Sequence, residues 1–407
     1  MNSKKDKGYA WVIAINGMVL NMLSVLGLAS QSVLIIFITE SLGESYSKVS
    51  LITSFLNMFF GAGGFLFGFL GKKFSPRSIL IGGSLLLCSC SVVTCFVRNI
   101  YVYYLTLGVG SGIGVASFVY CGTITIAEWF DRYKAMALSI SAVGASAGFF
   151  IWTPITSILV DTFGWRSTYL IIAGIYLQGC CLAMLIKKAP QNMNITICKT
   201  DHVNPRLFNI KIFKNLPLVL FYLSLTCTYI GQTVPYFWIP TRAERSGIGL
   251  RMGTLIVSIT SASCGIFTLI AGFLGDRPSF NRILGFGINS GLTGLLSIFS
   301  TLSHSVIILM SYGFLFGLTS GFYQALNMTV VTDLVQLNDL PCAIGLDVFC
   351  IGSAQCLCIP LGAMLFDISG SSMIPFIVKG TIQGFFGPLF AILALITHRR
   401  RGIQYKL

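Results

Sequence analysis

The run Gly108-Val109-Gly110-Ser111-Gly112-Ile113-Gly114-Val115-Ala116-Ser117-Phe118-Val119-Tyr120-Cys121-Gly122-Thr123-Ile124-Thr125-Ile126-Ala127 holds no charged residue. About 20 such residues, rising ~1.5 Å each as a helix, cross the ~30 Å hydrocarbon core of a bilayer. The stretch from Phe376 to Thr397 reads the same way, apart from Lys379. Neither run shows the ~10-residue alternating segments of a transmembrane barrel. The rest of the chain has the same character: of 407 residues, 55% are hydrophobic and 10% charged, with a mean hydropathy of +0.82. A globular domain carries roughly a quarter charged residues. The sequence therefore predicts an all-α polytopic membrane protein.

Apolar segments bounded by charge, Pro or Gly clusters fall near 12–38, 49–71, 79–97, 101–127, 135–160 and 166–186, then near 216–240, 252–274, 283–303, 305–331, 342–366 and 373–397. These predict 12 transmembrane helices: a six-helix half over 1–186, a central loop over 187–215, a second half over 216–397 and a tail over 398–407. An even number of spans puts both termini on one side. Twenty Lys and Arg fall on that side and six on the other, with Lys379 inside a span. The positive-inside rule then makes the termini and the central loop cytoplasmic. Topology also accounts for the net charge of +14, so no nucleic-acid partner is expected. The Asn194-Ile195-Thr196 sequon in the central loop is expected to be an unused chance match. Cys88, Cys90, Cys95, Cys180, Cys181, Cys356 and Cys358 sit in apolar runs at irregular spacing, as packing residues do. His202, His304 and His398 fall in predicted loops, against a zinc cage or a histidine-based catalytic site. The first apolar segment is too long for a cleavable signal peptide.

The halves echo each other. Gly68-Phe69-Leu70-Gly71, ahead of Lys72, Lys73 and Arg77, returns 204 residues later as Gly272-Phe273-Leu274-Gly275 ahead of Asp276, Arg277 and Arg282. Val160-Asp161-Thr162-Phe163-Gly164 is mirrored by Phe366-Asp367-Ile368-Ser369-Gly370 at an offset of 206. Such repeats are the mark of transporters built from parallel halves. The glycines let helices approach closely at the cytoplasmic face, and Asp276 can accept from helix N-termini or arginines across the gap. Gly144 and Gly148 make a small-xxx-small packing step.

The hexapeptide Asp6-Lys7-Gly8-Tyr9-Ala10-Trp11 is similar to the N-terminal hallmark of the monocarboxylate transporters, a family within the major facilitator superfamily. Trp129-Phe130-Asp131-Arg132-Tyr133-Lys134, leading to Ala137, Gly144 and Gly148, resembles a second hallmark. Phe163-Gly164-Trp165-Arg166 and Val331-Thr332-Asp333-Leu334-Val335-Gln336-Leu337-Asn338-Asp339-Leu340 resemble the family's junctions. The resemblance implies the major facilitator fold, in which two six-helix halves rock about a central site and expose it to each side in turn. It implies no cofactor, a plasma-membrane location, and a small organic solute with a proton as candidate co-substrate. A single-span accessory glycoprotein accompanies several family members and is a candidate partner here.

The chain departs from that resemblance at three charges. A lysine in span one and an Asp/Arg pair in span eight mark the lactate-carrying members. The matching positions here fall at about Ala29, Cys264 and Thr268. That disfavours ordinary proton-coupled lactate transport.

A charge inside a span costs a few kcal/mol on insertion scales, so each asks for a partner or a function. Lys379 either snorkels to the surface, pairs structurally or supplies the cation for an anionic substrate. Asp347, at similar depth from the cytoplasmic side, carries a proton or salt-bridges a neighbour. Uncharged polar stripes mark the spans that, by the resemblance, line the cavity: Asn21, Ser24 and Gln31; Tyr120 and Thr123; Tyr229, Gln232 and Tyr236; Tyr323, Gln324 and Asn327. Each is a candidate either to touch substrate or to glue helices. The resulting expectation is a secondary transporter of small organic monocarboxylates or amino-acid-like solutes. The alternatives are a proton-independent facilitator of aromatic amino acids, creatine-like zwitterions or iodothyronines, and a nutrient-sensing receptor on a transporter fold. An intramembrane enzyme is disfavoured, since no deep acidic partner faces Asp347 and no histidine lies in a predicted span.

Overall fold

The computed structural model describes residues 8–43, 46–71, 73–97, 99–131, 133–187, 215–245, 250–277, 280–302, 305–335, 339–369 and 373–404. These are helical almost throughout, as expected where the backbone must satisfy its own hydrogen bonds in lipid. Helix α1 comprises Tyr9–Ser24 and, after a break at Val25, Leu26–Leu42. Next come α2 (Tyr46–Leu70), α3 (Pro76–Phe96) and α4 (Ile100–Trp129). The run Lys134–Met184 is broken at Gly164, whose φ of 76° suits only a residue without a side chain, and so divides into α5 (134–163) and α6 (165–184). The second half contains α7 (Leu216–Arg245), α8 (Leu250–Gly275), α9 (Arg282–Phe299), α10 (Val306–Leu334) and α11 (Leu340–Ser369). Helix α12 runs from Ile374–Thr381 through a π-helical turn, Ile382–Phe386, into Gly387–Gln404.

Nine runs among the described residues are long and apolar enough to cross a membrane, the α5–α6 run counting once, and α7 and α11 add the shorter apolar stretches Leu216–Gln232 and Cys342–Cys358. This is consistent with twelve spans. The central loop from 188 to 214, with Asn194 and His202, lies outside the described residues, as do Arg132 and His304. The repeat is visible in local detail. Ser75 caps α3 by accepting from the Ser78 N–H (3.3 Å), and Asn281 caps α9 by accepting from the Leu284 N–H (3.2 Å), at the 206-residue offset of the echo. Some predicted boundaries move: α12 continues to Gln404, into the tail expected over 398–407. Helix α7 continues past Pro240 to Arg245, because a proline removes only one helix hydrogen bond and a packed bundle tolerates that. Helix α4 passes, after an α-helical first turn over Ile100–Tyr103, through a π-helical stretch, Tyr104–Gly110, inside what the sequence predicted as regular helix.

Each half has its own apolar core, one around Leu87, Phe118 and Tyr176, the other around Phe221, Phe286 and Tyr323. Two helix pairs make the main contacts between the halves, α2 with α11 and α5 with α8. Glycine makes both seams. A Cβ on Gly352 would lie 2.5 Å from the Gly61 Cα, one on Gly345 2.9 Å from the Gly68 Cα, and one on Gly272 would collide with the Ser139 side chain. The outward faces carry exposed apolar side chains such as Phe96, Leu105 and Ile307, as a lipid-facing belt requires.

Candidate functional site

At the end of the bundle that bears the termini, the two halves are latched. The Asp276 carboxylate, just past the end of α8, accepts from the Ala135 and Met136 N–H groups, both at 3.0 Å. These are the unsatisfied donors of the α5 N-terminus, where helix dipole and hydrogen bonds both favour an anion. Lys134 opens that helix, and Gly275 admits it by leaving the Ala135 side chain 3.3 Å from where a Cβ would sit. On the other seam Phe65 and Phe69 of α2 pack into the second half's core, while Leu340 and Ile344 of α11 join the first half's core. Gly71 leaves room for the Tyr120 hydroxyl. Asp333 pairs with Arg282 at 2.5 Å within the second half, whereas Arg277 lies over the Phe273 ring and Arg77 is exposed. The N-terminal hallmark and the second hallmark meet: Tyr9 packs on Trp129 and Trp11 on Phe130, with ring centroids 5.6 and 5.2 Å apart.

The interior of the first half is neutral; several of its polar groups pair across helices, while the Asn16 carbonyl and the Ser139, Tyr169 and Tyr176 hydroxyls have no partner. Asn21 donates to the Ser141 hydroxyl (2.8 Å), joining α1 to α5; Ser30 and Thr156 share a hydrogen bond (3.0 Å); Thr53 donates to Gln31 (3.3 Å). Gln31 and Thr53 also line a small cavity with Ile38, Val49, Ile52 and Leu107. Tyr120 and Thr123 are buried, and the Tyr120 ring faces Phe67 of α2. Asn21 and Tyr120 thus lie in helix packing, and Gln31 beside the cavity.

The second half buries charge. Lys379 is only 2% exposed, so it does not snorkel. Its ammonium donates to the Tyr312 hydroxyl (3.2 Å) and sits 4.1 Å from the centroid of the Phe316 ring. Tyr312 in turn shares a hydrogen bond with Ser297 of α9 (3.1 Å). One turn beyond Lys379, Gln383 is fully buried inside the π-helical turn, and neither its amide oxygen nor its nitrogen has a hydrogen-bond partner. Gly231 of α7 admits both side chains: a Cβ there would collide with the Gln383 oxygen and lie 3.0 Å from the Lys379 Cγ. Arg242 is buried beside this group, donating to the Ser300 carbonyl (2.5 Å) with its guanidinium over the Phe376 ring.

Deeper toward the termini, Asp347 accepts from the Asn327 amide at 3.1 Å, and its other oxygen has no hydrogen-bond partner. Tyr229 faces Tyr323 (centroids 6.0 Å apart), and Tyr236 stacks on Phe149 of α5 across the seam (5.9 Å). Gln232 is buried with its carbonyl unpartnered, and Gln324 is half-buried. Cys264 and Thr268, where the resemblance leads one to look for a charged pair, are fully buried among neutral groups; Thr268 donates to the Cys264 and Gly321 carbonyls (2.7 and 3.3 Å). The site therefore gathers Tyr229, Tyr236, Tyr323, Asn327, Asp347 and Lys379 into one half and leaves Asn21, Gln31 and Tyr120 in the other. Sequence reasoning missed Tyr312, Arg242 and Gln383. Only Gln383, a lone amide one helical turn from a buried lysine, carried a usable signal.

Two glycine-seamed helical halves with polar interiors are the architecture of membrane transporters built from parallel repeats. The family model of the Major Facilitator Superfamily matches residues 17–357, and the chain belongs to that superfamily. It is similar to monocarboxylate transporter 6 of Homo sapiens, 24% identical over 90% of this chain and 77% of that one. It is similar also to monocarboxylate transporter 4 of Gallus gallus (24% identity, 92% and 80%) and monocarboxylate transporter 12 of Xenopus laevis (22%, 98% and 92%). Among solved structures, the Escherichia coli fucose:proton symporter superposes with a TM-score of 0.73 over 95% of this chain and 99% of that one, at 14% identity.

Proposed function

We propose that the chain is a secondary transporter that carries a small organic monocarboxylate, or an amino-acid-like solute bearing a carboxylate, by alternating access, with its termini in the cytoplasm. The observation that carries this reading is Lys379: a buried ammonium bonded to a neutral phenol and an aromatic face, with no carboxylate in salt-bridge reach among the described residues. Burial without a counter-ion disfavours the charged form of this lysine, and a substrate carboxylate supplies the counter-ion that would hold it as an ammonium. The Asp276 latch and the glycine seams hold the halves together on the side of the termini. Rocking breaks them and opens that side. The names of the relatives, monocarboxylate transporters, favour the same substrate class.

A second reading is a proton-independent facilitator of aromatic amino acids, creatine-like zwitterions or iodothyronines. The neutral, fully buried Cys264 and Thr268 favour it. Uptake of labelled lactate and of that panel into vesicles holding the purified chain, with and without an inward proton gradient, tests both. Gradient-stimulated lactate uptake supports the first, gradient-independent uptake of a panel member supports the second, and binding without uptake supports a sensor.

A further inference from the structure

We infer that Gln383 is the specificity-determining residue of the Lys379 site: its amide reads an uncharged hydroxyl or carbonyl on the carboxylate that Lys379 holds. The role presupposes the transport reading above and narrows its substrate from any small carboxylate to a hydroxy or oxo acid.

Three features of α7 and α12 meet at this amide. First, the amide is unmatched. Gln383 is fully buried, and both its oxygen and its nitrogen lack a partner, which is true of no other buried amide among the described residues. Methionine fills the same space with no hydrogen bond to satisfy, so packing alone does not account for a side chain with one acceptor and two donors unmet. Second, the helix is re-registered around it. Gln383 is the buried residue of the π-helical turn Ile382–Phe386, while Phe385 and Phe386 of the same turn are exposed; such turns recur at functional sites. Ser290 of α9 and Ser224 of α7 donate to the Gln383 and Gly387 carbonyls (3.4 and 2.5 Å), so the backbone here is held while the amide is not. Third, the facing helix gives way at the same level. Gly231 leaves the space that the Lys379 stem and the Gln383 amide share. Pro235, four residues on, has no N–H to offer the Gly231 carbonyl, so α7 lacks a helix hydrogen bond there and bends there most easily. Bending α7 away from α12 opens the shared space to a solute.

Lys379 and Gln383 stand one helical turn apart, about 6 Å along the axis. A carboxylate bonded to the ammonium therefore runs its second to fourth carbons past the amide. An amide matches a hydroxyl by donating or accepting and a carbonyl by donating. A plain alkyl chain leaves it unpaired, and a substrate ammonium sets a second positive charge beside Lys379, with no described carboxylate in salt-bridge reach.

Protein-dependent uptake of acid pairs that differ by one hydroxyl, propanoate with lactate and butanoate with 4-hydroxybutanoate, into lipid vesicles holding the purified full chain tests this role. In at least one pair the hydroxy acid half-saturates uptake at a concentration about tenfold lower than its plain partner. In Gln383→Met, which keeps the volume and drops the amide, that preference falls to within about twofold because the hydroxy acid weakens; Gln383→Asn retains part of it. Lys379→Gln weakens both members of the pair alike. Equal half-saturation within both pairs for the unaltered chain, which needs no variant to fold, overturns the role of Gln383 and leaves the carboxylate reading standing. So does a preference that survives Gln383→Met. Uptake of none of the four acids, or uptake unmoved by Lys379→Gln, overturns the carboxylate reading and the role of Gln383 with it.

Discussion

The two halves follow the same plan but bury polarity by different means. In the first half, Asn21 meets Ser141, Ser30 meets Thr156 and Gln31 meets Thr53, each hydroxyl or amide spent on a neighbouring helix. In the second half, Arg242, Asp347 and Lys379 are the buried charged residues among those described, whereas unpaired buried polar atoms occur in both halves, on Asn16, Ser139, Tyr169 and Tyr176 as on Gln232, Tyr323, Asn327 and Gln383. A paired neutral group holds helices together and asks for nothing more. A buried charge facing phenols and aromatic rings asks for a ligand or a proton. Under the proposed alternating access, the buried charge lies in one body only, which makes the first half the expected surface against which the second opens and closes.

The sharpest break in this comparison is Lys379→Gln against Asn21→Ala. Loss of the ammonium lowers carboxylate uptake by about tenfold or more at equal surface expression, because the anion loses its buried counter-ion. Loss of the Asn21 amide leaves the uptake rate within about twofold, since it touches helix packing alone. Equal effects of the two would mean that the halves share the site. Next in size is Gly352→Leu. The new Cβ falls 2.5 Å from the Gly61 Cα, backbone against backbone, an overpacking cost of about 1–3 kcal/mol. That shifts the balance between the state closed toward the termini and the open one by roughly 5- to 160-fold. Backbone hydrogen exchange across 66–70 and 340–345 should rise, and unchanged protection there would show that the seam is not what holds this state.

The contrast between the halves was only partly legible in the sequence. The helices were, because twenty uncharged residues such as Gly108 to Ala127 have one stable form in lipid. The Asp276 contact was foreseeable from a Gly-Phe-Leu-Gly echo that ends in an acid in one half and a lysine in the other. Burial of Arg242 was not: the nearby Pro240 reads as the end of a span, whereas α7 runs on to Arg245 and carries the arginine under Phe376. The direction of Lys379 was also hidden, since depth along a helix is read from sequence but azimuth depends on which neighbours crowd it. Here Gly231 opens the space into which Lys379 and Gln383 turn.

Smaller effects separate latch from glue. Asp276→Asn keeps one acceptor for the α5 N-terminus but removes the charge, a loss of about 0.3–1 kcal/mol. The closed state should be depleted by roughly two- to fivefold, read as faster exchange at 133–137, with thermal stability nearly unchanged because no core contact is lost. Asn21→Ala and Ser141→Ala behave the other way. Each removes one partner of a 2.8 Å hydrogen bond between α1 and α5, and should lower unfolding stability by about 1 kcal/mol with no change in exchange at the latch. The double variant should lose less than the sum of the two, because the second substitution removes a group already unpaired. Full additivity would mean that Asn21 and Ser141 do not work as a pair, and would return Asn21 to the set of residues free to meet a substrate.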